Sequence, residues 1–310
     1  MNNRRGTRNL GSSLTRTTLV WVAIVIVVLV VIDIALVTLA LGRTAPNAGD
    51  PAGPIPTFAS SPDSSTDPTS TASADATGVT RRLLTVVDGE EAWRATGTTC
   101  GASAPTLEHT VDGGATWAPV VLGPDVSTLM AIRASSEDLT ILAGVGEDCT
   151  TTVRTSVDDG ATWTAGSPGA AGVGVSTAGI VLPTGVVEPP CDRPKEAYQG
   201  QQTSVVICDG KVEWRSGAGE WVEVPVRGVR AMADNGDEYL LARVDDEACK
   251  GVEIASMTAI DVTPETGTPA VGCAADAATT GPISLDRAGD DIWLWAGDAV
   301  SVSADGGATW

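Results

Sequence analysis

Side chains able to bind or transform a ligand are sparse in this 310-residue chain, and many of its acidic ones stand next to one another. Glu90-Glu91, Asp158-Asp159, Asp245-Asp246-Glu247 and Asp290-Asp291 have the composition for general acid–base work or for holding a hard cation. Each falls where a turn between strands is predicted, and solvated turn chemistry accounts for them without a site. His109 is the sole histidine and no Cys-x-x-Cys occurs, so neither a metal site nor a cofactor is expected. Guanidinium forks suit carboxylate recognition. Arg133, Arg230 and Arg287 occupy similar places in an apolar strand or its following turn, which leaves their burial along a common axis open. Arg193, Lys195 and Tyr198 lie in a segment, residues 188–202, that reads as an inserted loop. Loops carry recognition, so these three are candidate contacts; an ordinary surface loop is the alternative.

The elements that must position these groups announce themselves through repetition. Ser/Thr-x-Asp-x-Gly-x-Thr-Trp occurs three times: Thr110, Asp112, Gly114, Thr116 and Trp117; Ser156, Asp158, Gly160, Thr162 and Trp163; Ser303, Asp305, Gly307, Thr309 and Trp310. Physically this is a tight turn. The Asp accepts backbone N–H bonds, the Gly supplies a positive φ, the Thr suits the start of a strand, and the Trp buries a large apolar face. Asp112 and Asp158 are 46 positions apart, and Asp158 and Asp305 are 147 apart, close to three more such units. Degraded copies fit at Trp214 to Trp221 and at residues 260–268. Before each turn comes an alternating strand, an acidic Gly/Ser/Asn turn and an apolar strand, as at 84–93, 129–139, 229–239 and 283–293. That is the pattern of a hairpin.

The repeated phrase resembles the Asp box, or BNR repeat, of sialidase-like and sortilin-like β-propellers. The resemblance covers residues 80–310. It implies an all-β propeller in which the box is a structural turn between the third and fourth strands of a blade. At ~45 residues per repeat it implies about five blades, the third (176–226) irregular and carrying the 188–202 insertion. The sequence stops on the Trp of the third box. Three ways of finishing the last blade are open: a segment near 79–83 completes it, it stays short, or the chain is truncated. The box specifies a turn and not an activity, since it occurs in sialidases, other glycoside hydrolases, sortilin-type receptors and photosystem assembly factors. A sialidase-like site would need clustered arginines, a Tyr–Glu nucleophile pair and an acid/base Asp. No Phe-Arg-Ile-Pro signature is present; Gly179 to Pro183 comes nearest and has no Arg. Tyr198 and Tyr239 are the only tyrosines. The expectation is therefore a ligand-binding or protein-scaffolding propeller rather than an enzyme. A glycoside hydrolase of exo-sialidase type is the alternative, and a structural assembly factor for a membrane complex is a third reading.

Location is read from the first 79 residues. Residues 19–41 are almost wholly apolar, long enough at 1.5 Å per residue for a hydrocarbon core of roughly 30 Å. Arg4, Arg5, Arg8 and Arg16 precede them, so the expectation is a basic cytoplasmic tail (1–18), one transmembrane helix (19–42) and an extracytoplasmic remainder. Asp33 within the span reads as tolerated rather than functional. Residues 43–79 are rich in Pro, Ser, Thr and Ala and read as a disordered linker. All six cysteines lie beyond it. An even number in an exported domain suggests three disulfides; 15 pairings are possible, and sequence proximity favours Cys191–Cys208 and Cys249–Cys273, leaving Cys100–Cys149. The formal charge is −20, and because the first 43 residues carry five Arg and one Asp, the rest is at −24. That excess argues against nucleic-acid partners and leaves the membrane, a glycan or an extracytoplasmic protein. Scarce Lys with abundant Ala, Gly, Val and Thr suggests a bacterial source.

Overall fold

The computed structural model describes residues 80–200, 202–234 and 236–310, and within them six antiparallel sheets arranged as the blades of a propeller. The expected transmembrane helix, linker and tail lie outside the described residues. Blade one holds β1 (Arg81–Val86), β2 (Ala92–Gly97), β3 (Thr106–Thr110) and β4 (Ala118–Pro119). Blade two holds β5 (Val126–Ala134), β6 (Leu139–Val145), β7 (Thr150–Ser156) and β8 (Thr164–Ala165). Blade three has three short strands, β9 (Gly174–Ser176), β10 (Gly179–Leu182) and β11 (Gly185–Val187). Blade four holds β12 (Pro194–Gln199), β13 (Thr203–Cys208), β14 (Lys211–Ser216) and β15 (Val222–Val224). Blade five holds β16 (Val229–Asp234), β17 (Glu238–Arg243), β18 (Val252–Thr258) and β19 (Ala270–Ala274). Blade six holds β20 (Ile283–Ala288), β21 (Asp291–Ala296) and β22 (Ala299–Ser303). The first strand of each blade lies innermost: β1, β5, β9, β12, β16 and β20 touch in that order, and β20 touches β1 again.

The count of five blades is thus corrected to six. The stretch 176–226, read as one irregular blade, holds most of two. Blade three has no box and no fourth strand, so it is far shorter than the spacing between the first two boxes implied. The supposed insertion at 188–202 contains β12, the inner strand of blade four. Of the three ways to finish the last blade, completion by residues 79–83 is excluded, because β1 pairs with β2 as the inner strand of blade one. Blade six has three strands among the described residues.

Period-two alternation decides which cleft each side chain fills. In β21, Ile292 and Leu294 pack toward blade five, while Trp293 and Trp295 pack toward blade one. In β17, Tyr239 and Leu241 face blade four and Leu240 and Ala242 face blade six. Such central strands are buried on both faces, which is why they read as continuous apolar runs rather than as alternating ones.

The boxes behave as turns. Asp112 accepts bonds from the Thr116 N–H at 2.9 Å, the Thr116 hydroxyl at 2.6 Å and the Thr110 hydroxyl at 2.8 Å. Asp158 and Asp305 repeat the pattern. These hydroxyl and N–H donors, led by the Thr side chain, hold Asp112 and Asp305 at about 2 and lower Asp158. The glycines Gly114, Gly160 and Gly307 have φ of 83°, 82° and 94°, as the turn requires. Each box packs back on the preceding blade. Gly160 sits over Val120 of the blade-one connection, and Trp310 joins the core between blades five and six. The box of blade one reaches across the seam to blade six, where Trp117 meets Trp293 edge-on at 6.4 Å and 85°. There Arg94 lies over Trp117 at 4.2 Å and Trp295 at 5.1 Å, and Arg82 lies over Trp295 at 4.5 Å. The ring therefore closes by packing, with cation–π contacts stacked along the seam.

Candidate functional site

All inner strands begin at one end of the axial channel. The turns β2–β3, β6–β7, β13–β14, β17–β18 and β21–β22 gather at that end, because each second strand pairs antiparallel with its first. The boxes lie at the other end. The three disulfides, Cys100–Cys149, Cys191–Cys208 and Cys249–Cys273, are those favoured by sequence proximity, and all three rim the strand-start end. The first staples blades one and two. The second ties the blade-three connection to blade four, and the third lies within blade five. Cys149, Asp209 and Asp245, three of the five non-glycine residues at positive φ among the described residues, sit in the turns of this same mouth.

Three cavities meet at the mouth. An axial one of about 310 Å³ runs down the channel between the inner strands. One of about 470 Å³ lies over blades one to three, with the Cys100–Cys149 bridge in its wall. One of about 610 Å³ lies between blades four, five, six and one. Arg81 borders all three, and Lys195 borders both of the outer ones.

Arg81 spans the channel opening. Its two terminal nitrogens donate to the Val175 and Lys195 carbonyls, each at 3.2 Å, so a side chain of blade one is held by the backbones of blades three and four. Burial pulls its pKa down from the ordinary arginine value. Below it, the Tyr198 hydroxyl donates to Glu196 Oε2 at 2.5 Å and accepts the Met232 N–H at 3.0 Å. Further in, Asp286 accepts the Val86 N–H at 2.8 Å, and the Thr85 hydroxyl accepts the Ala134 N–H at 3.0 Å. In each case an inner-strand side chain satisfies a backbone donor on the next blade round the ring, which settles polar groups that would otherwise be orphaned along the channel.

These carboxyls are far from their ordinary acidity. Burial pushes Glu196 up to about 7, more than the Tyr198 hydrogen bond and the Arg81 charge pull it down. Burial likewise pushes Asp286 up to about 6 against the Val86 and Arg287 amides and the Arg133 charge. Burial and the Glu196 charge raise the Tyr198 phenol well above its usual range. Glu196 and Tyr198 retain some solvent contact in the channel, yet protein surrounds them, so desolvation dominates. A carboxyl that titrates near neutrality and is hydrogen-bonded to a phenol can exchange a proton at physiological pH.

The raised Glu196 value has a signed consequence. The native state holds the proton to a higher pH than the unfolded chain, so stability is full below about 4.5 and falls as pH rises toward about 7. Glu196→Gln, which does not titrate, is expected to be more stable than the parent by about 3 kcal/mol at pH 8 and nearly equal at pH 4.5. Denaturant unfolding at the two values checks this. An equal effect at both would mean that the ionised carboxylate is fully compensated by Arg81.

The residues singled out from sequence are divided by the fold. Arg193, Lys195 and Arg230 reach the mouth; Arg133 and Tyr198 line the axial cavity; Arg287 lies outside it. Arg133, Arg230 and Arg287 do not converge on one axis. Arg230 opens β16 at the mouth and donates to the Gly281 carbonyl at 2.9 Å, whereas Arg133 and Arg287 close their strands at the box end. Arg287 bonds the Gly289 carbonyl and lies 3.9 Å from Glu238. Arg193 is 74% exposed and pairs with Asp209 at 2.9 Å; Lys195 lies 3.7 Å from the same carboxylate. Sequence reasoning missed Arg81, Glu196 and Asp286. The signal for Glu196 was the i, i+2 spacing to Tyr198 after a Pro, the mark of a strand. Among the described residues no group of three or more His, Cys, Asp or Glu side chains is placed to hold a metal ion.

No family model matches the chain, and no curated protein does. Solved structures do. A GH74 enzyme of Niastella koreensis matches at 12% identity and TM-score 0.40, over 73% of this chain and 45% of that one. A sialidase of Trypanosoma rangeli in complex with the inhibitor DANA matches at 13% and 0.37, over 73% and 54%. YCF48 bound to a D1 peptide matches at 14% and 0.28, over 74% and 67%. The chain thus spans about half the length of the first two.

Proposed function

We propose that this chain is a membrane-anchored extracytoplasmic propeller that binds a ligand or a protein partner at its disulfide-rimmed mouth. One observation carries the reading: two outer cavities and the axial cavity converge on Arg81, within a rim held by three covalent staples. Recognition favours concave sites with a few fixed polar groups, and here the polar groups are fixed by backbone carbonyls and by neighbouring blades. The apolar run at 19–41 supports the anchor, and the six paired cysteines support an oxidising compartment. The test is a broad glycan panel on the oxidised full-length chain in a nonionic detergent, with cross-linking in native membranes alongside. Binding or cross-linking that is lost when a bulky group is placed at Ala178 or Arg230, which lie on the two outer cavities, supports the mouth. Attachment elsewhere on the domain refutes it.

A second reading, a glycoside hydrolase of exo-sialidase type, is favoured by the Glu196–Tyr198 pair beneath Arg81, with Asp286 in the same cavity. Here both members of the pair come from one strand. If sugar is released from any panel member and Glu196→Gln abolishes release without abolishing binding, this reading replaces the first.

A further inference from the structure

We propose that the cavity over blades one to three takes an anionic ligand, one bearing a carboxylate or a phosphate, with Arg81 as its fixed anchor and Lys195 and Arg193 as further contacts. The inference rests on the mouth being a binding face and specifies what that face binds. Three observations carry it independently of any relative.

The first is an inversion of charge. Residues 80–310 carry 34 acidic and 14 basic side chains, so a cavity taken at random would be acidic. The charged groups bordering this one are Arg81, Arg193 and Lys195 against Asp192 alone. On a strongly acidic domain, such a spot is where an anion is drawn and cations are repelled.

The second is the state of Arg81. Arg81 is half-buried, and cations drawn out of water are normally paired. Arg81 forms no ion pair among the described residues; its partners there are the Val175 and Lys195 carbonyls. Glu196 is the carboxyl that acts on it most strongly, and burial leaves that carboxyl about half protonated near neutrality. A guanidinium has five N–H donors, and two are engaged. Three are left for a ligand, on a group whose position is already set, so little ordering entropy is lost on binding.

The third is the construction of the walls. The Cys100–Cys149 bridge forms one side, and the Cys191–Cys208 bridge fixes the origin of the segment that brings Asp192, Arg193 and Lys195 to the other. Asp209 holds Arg193 and Lys195 from the far side of the ridge. Thr99 and Thr177 bring hydroxyl-bearing side chains to the rim. A site this braced exists before its ligand arrives.

The test uses the full-length oxidised chain in nonionic detergent, titrated with glucuronate, inorganic phosphate and, as the neutral control, glucose. Glucuronate or phosphate is expected to bind and glucose to bind at least tenfold more weakly. Whichever anion binds more tightly identifies the class. Affinity is expected to fall with added sodium chloride, to fall at least tenfold in Arg81→Gln and severalfold in Lys195→Gln. Lys195 is half exposed, so the second variant carries the test if the first fails to fold. Equal binding of glucose and glucuronate, no binding of either anion, or unchanged affinity in Lys195→Gln together with a folded Arg81→Gln overturns the proposal. Neutral glycans or a protein captured at the mouth, with anions ignored, would sink this inference and leave the mouth as a binding face intact.

Discussion

Trp293→Ala is expected to cost about 3–5 kcal/mol and to be the most damaging single replacement in the propeller. Trp293 is 0% exposed and lies at the seam where blade six meets blade one. It packs beneath Gly114, whose Cβ position is 3.2 Å from the indole, and edge-on to Trp117. At the other five interfaces the chain itself runs from one blade to the next. At the seam no described segment does so, and no strand is shared, so removing the indole opens a void at a joint held by packing, by stacked cations and by the Val86–Asp286 hydrogen bond. Domains of this kind are stable by only ~5–15 kcal/mol, so the loss is a large fraction of the total. Denaturant unfolding measures it. Trp293→Phe provides the control: it keeps most of the volume and removes an indole N–H that has no partner among the described residues, so a cost well below that of Ala is expected. Equal costs for Phe and Ala would show that the seam depends on something other than filled volume.

Replacing both Cys100 and Cys149 with Ser is expected to lower stability by about 4 kcal/mol on the chain-entropy model. The loop they close, with a sequence separation of 49, is the longest of the three. The other bridges, with separations of 17 and 24, are expected to cost roughly 3 kcal/mol each. Two readouts are expected to move together for the first pair: the unfolding midpoint, and the affinity of any mouth ligand that uses the cavity whose wall this bridge forms. A midpoint that falls with no change in affinity would mean that the wall keeps its shape without the bridge.

Much of the fold was legible in residue order. The three intact boxes fall after third strands, and both degraded copies fall there too, between β14 and β15 and between β18 and β19. The four hairpins read from alternation are β1–β2, β5–β6, β16–β17 and β20–β21. Blade three was invisible because its information is carried by ten strand residues, with no box to mark its end. A period taken from full-length blades then absorbed it into its neighbour. The site was legible in part and for a physical reason. Turn residues are recognised by local chemistry, so Arg193, at the mouth just before β12, could be picked out without knowing the fold. The axial residues matter because six inner strands bring them together, and nothing local to Arg81 or Asp286 announces that. Tyr198 was chosen as a loop contact and proved to be a channel residue, since Pro194 obscured a strand that the alternation Lys195, Ala197, Gln199 against Glu196, Tyr198 describes.

The covalent bridges are distributed unevenly round the ring. One locks blades one and two, one ties the connection after blade three to blade four, and the third stays inside blade five, so no bridge crosses the joints from two to three, four to five, five to six or six to one. The mouth is therefore stapled unevenly. The cavity over the first three blades has a covalent bridge in its wall, and the larger cavity has none among the residues that border it. A single opening thus joins two kinds of wall, one cross-linked and one held by packing and hydrogen bonds, at the same arginine.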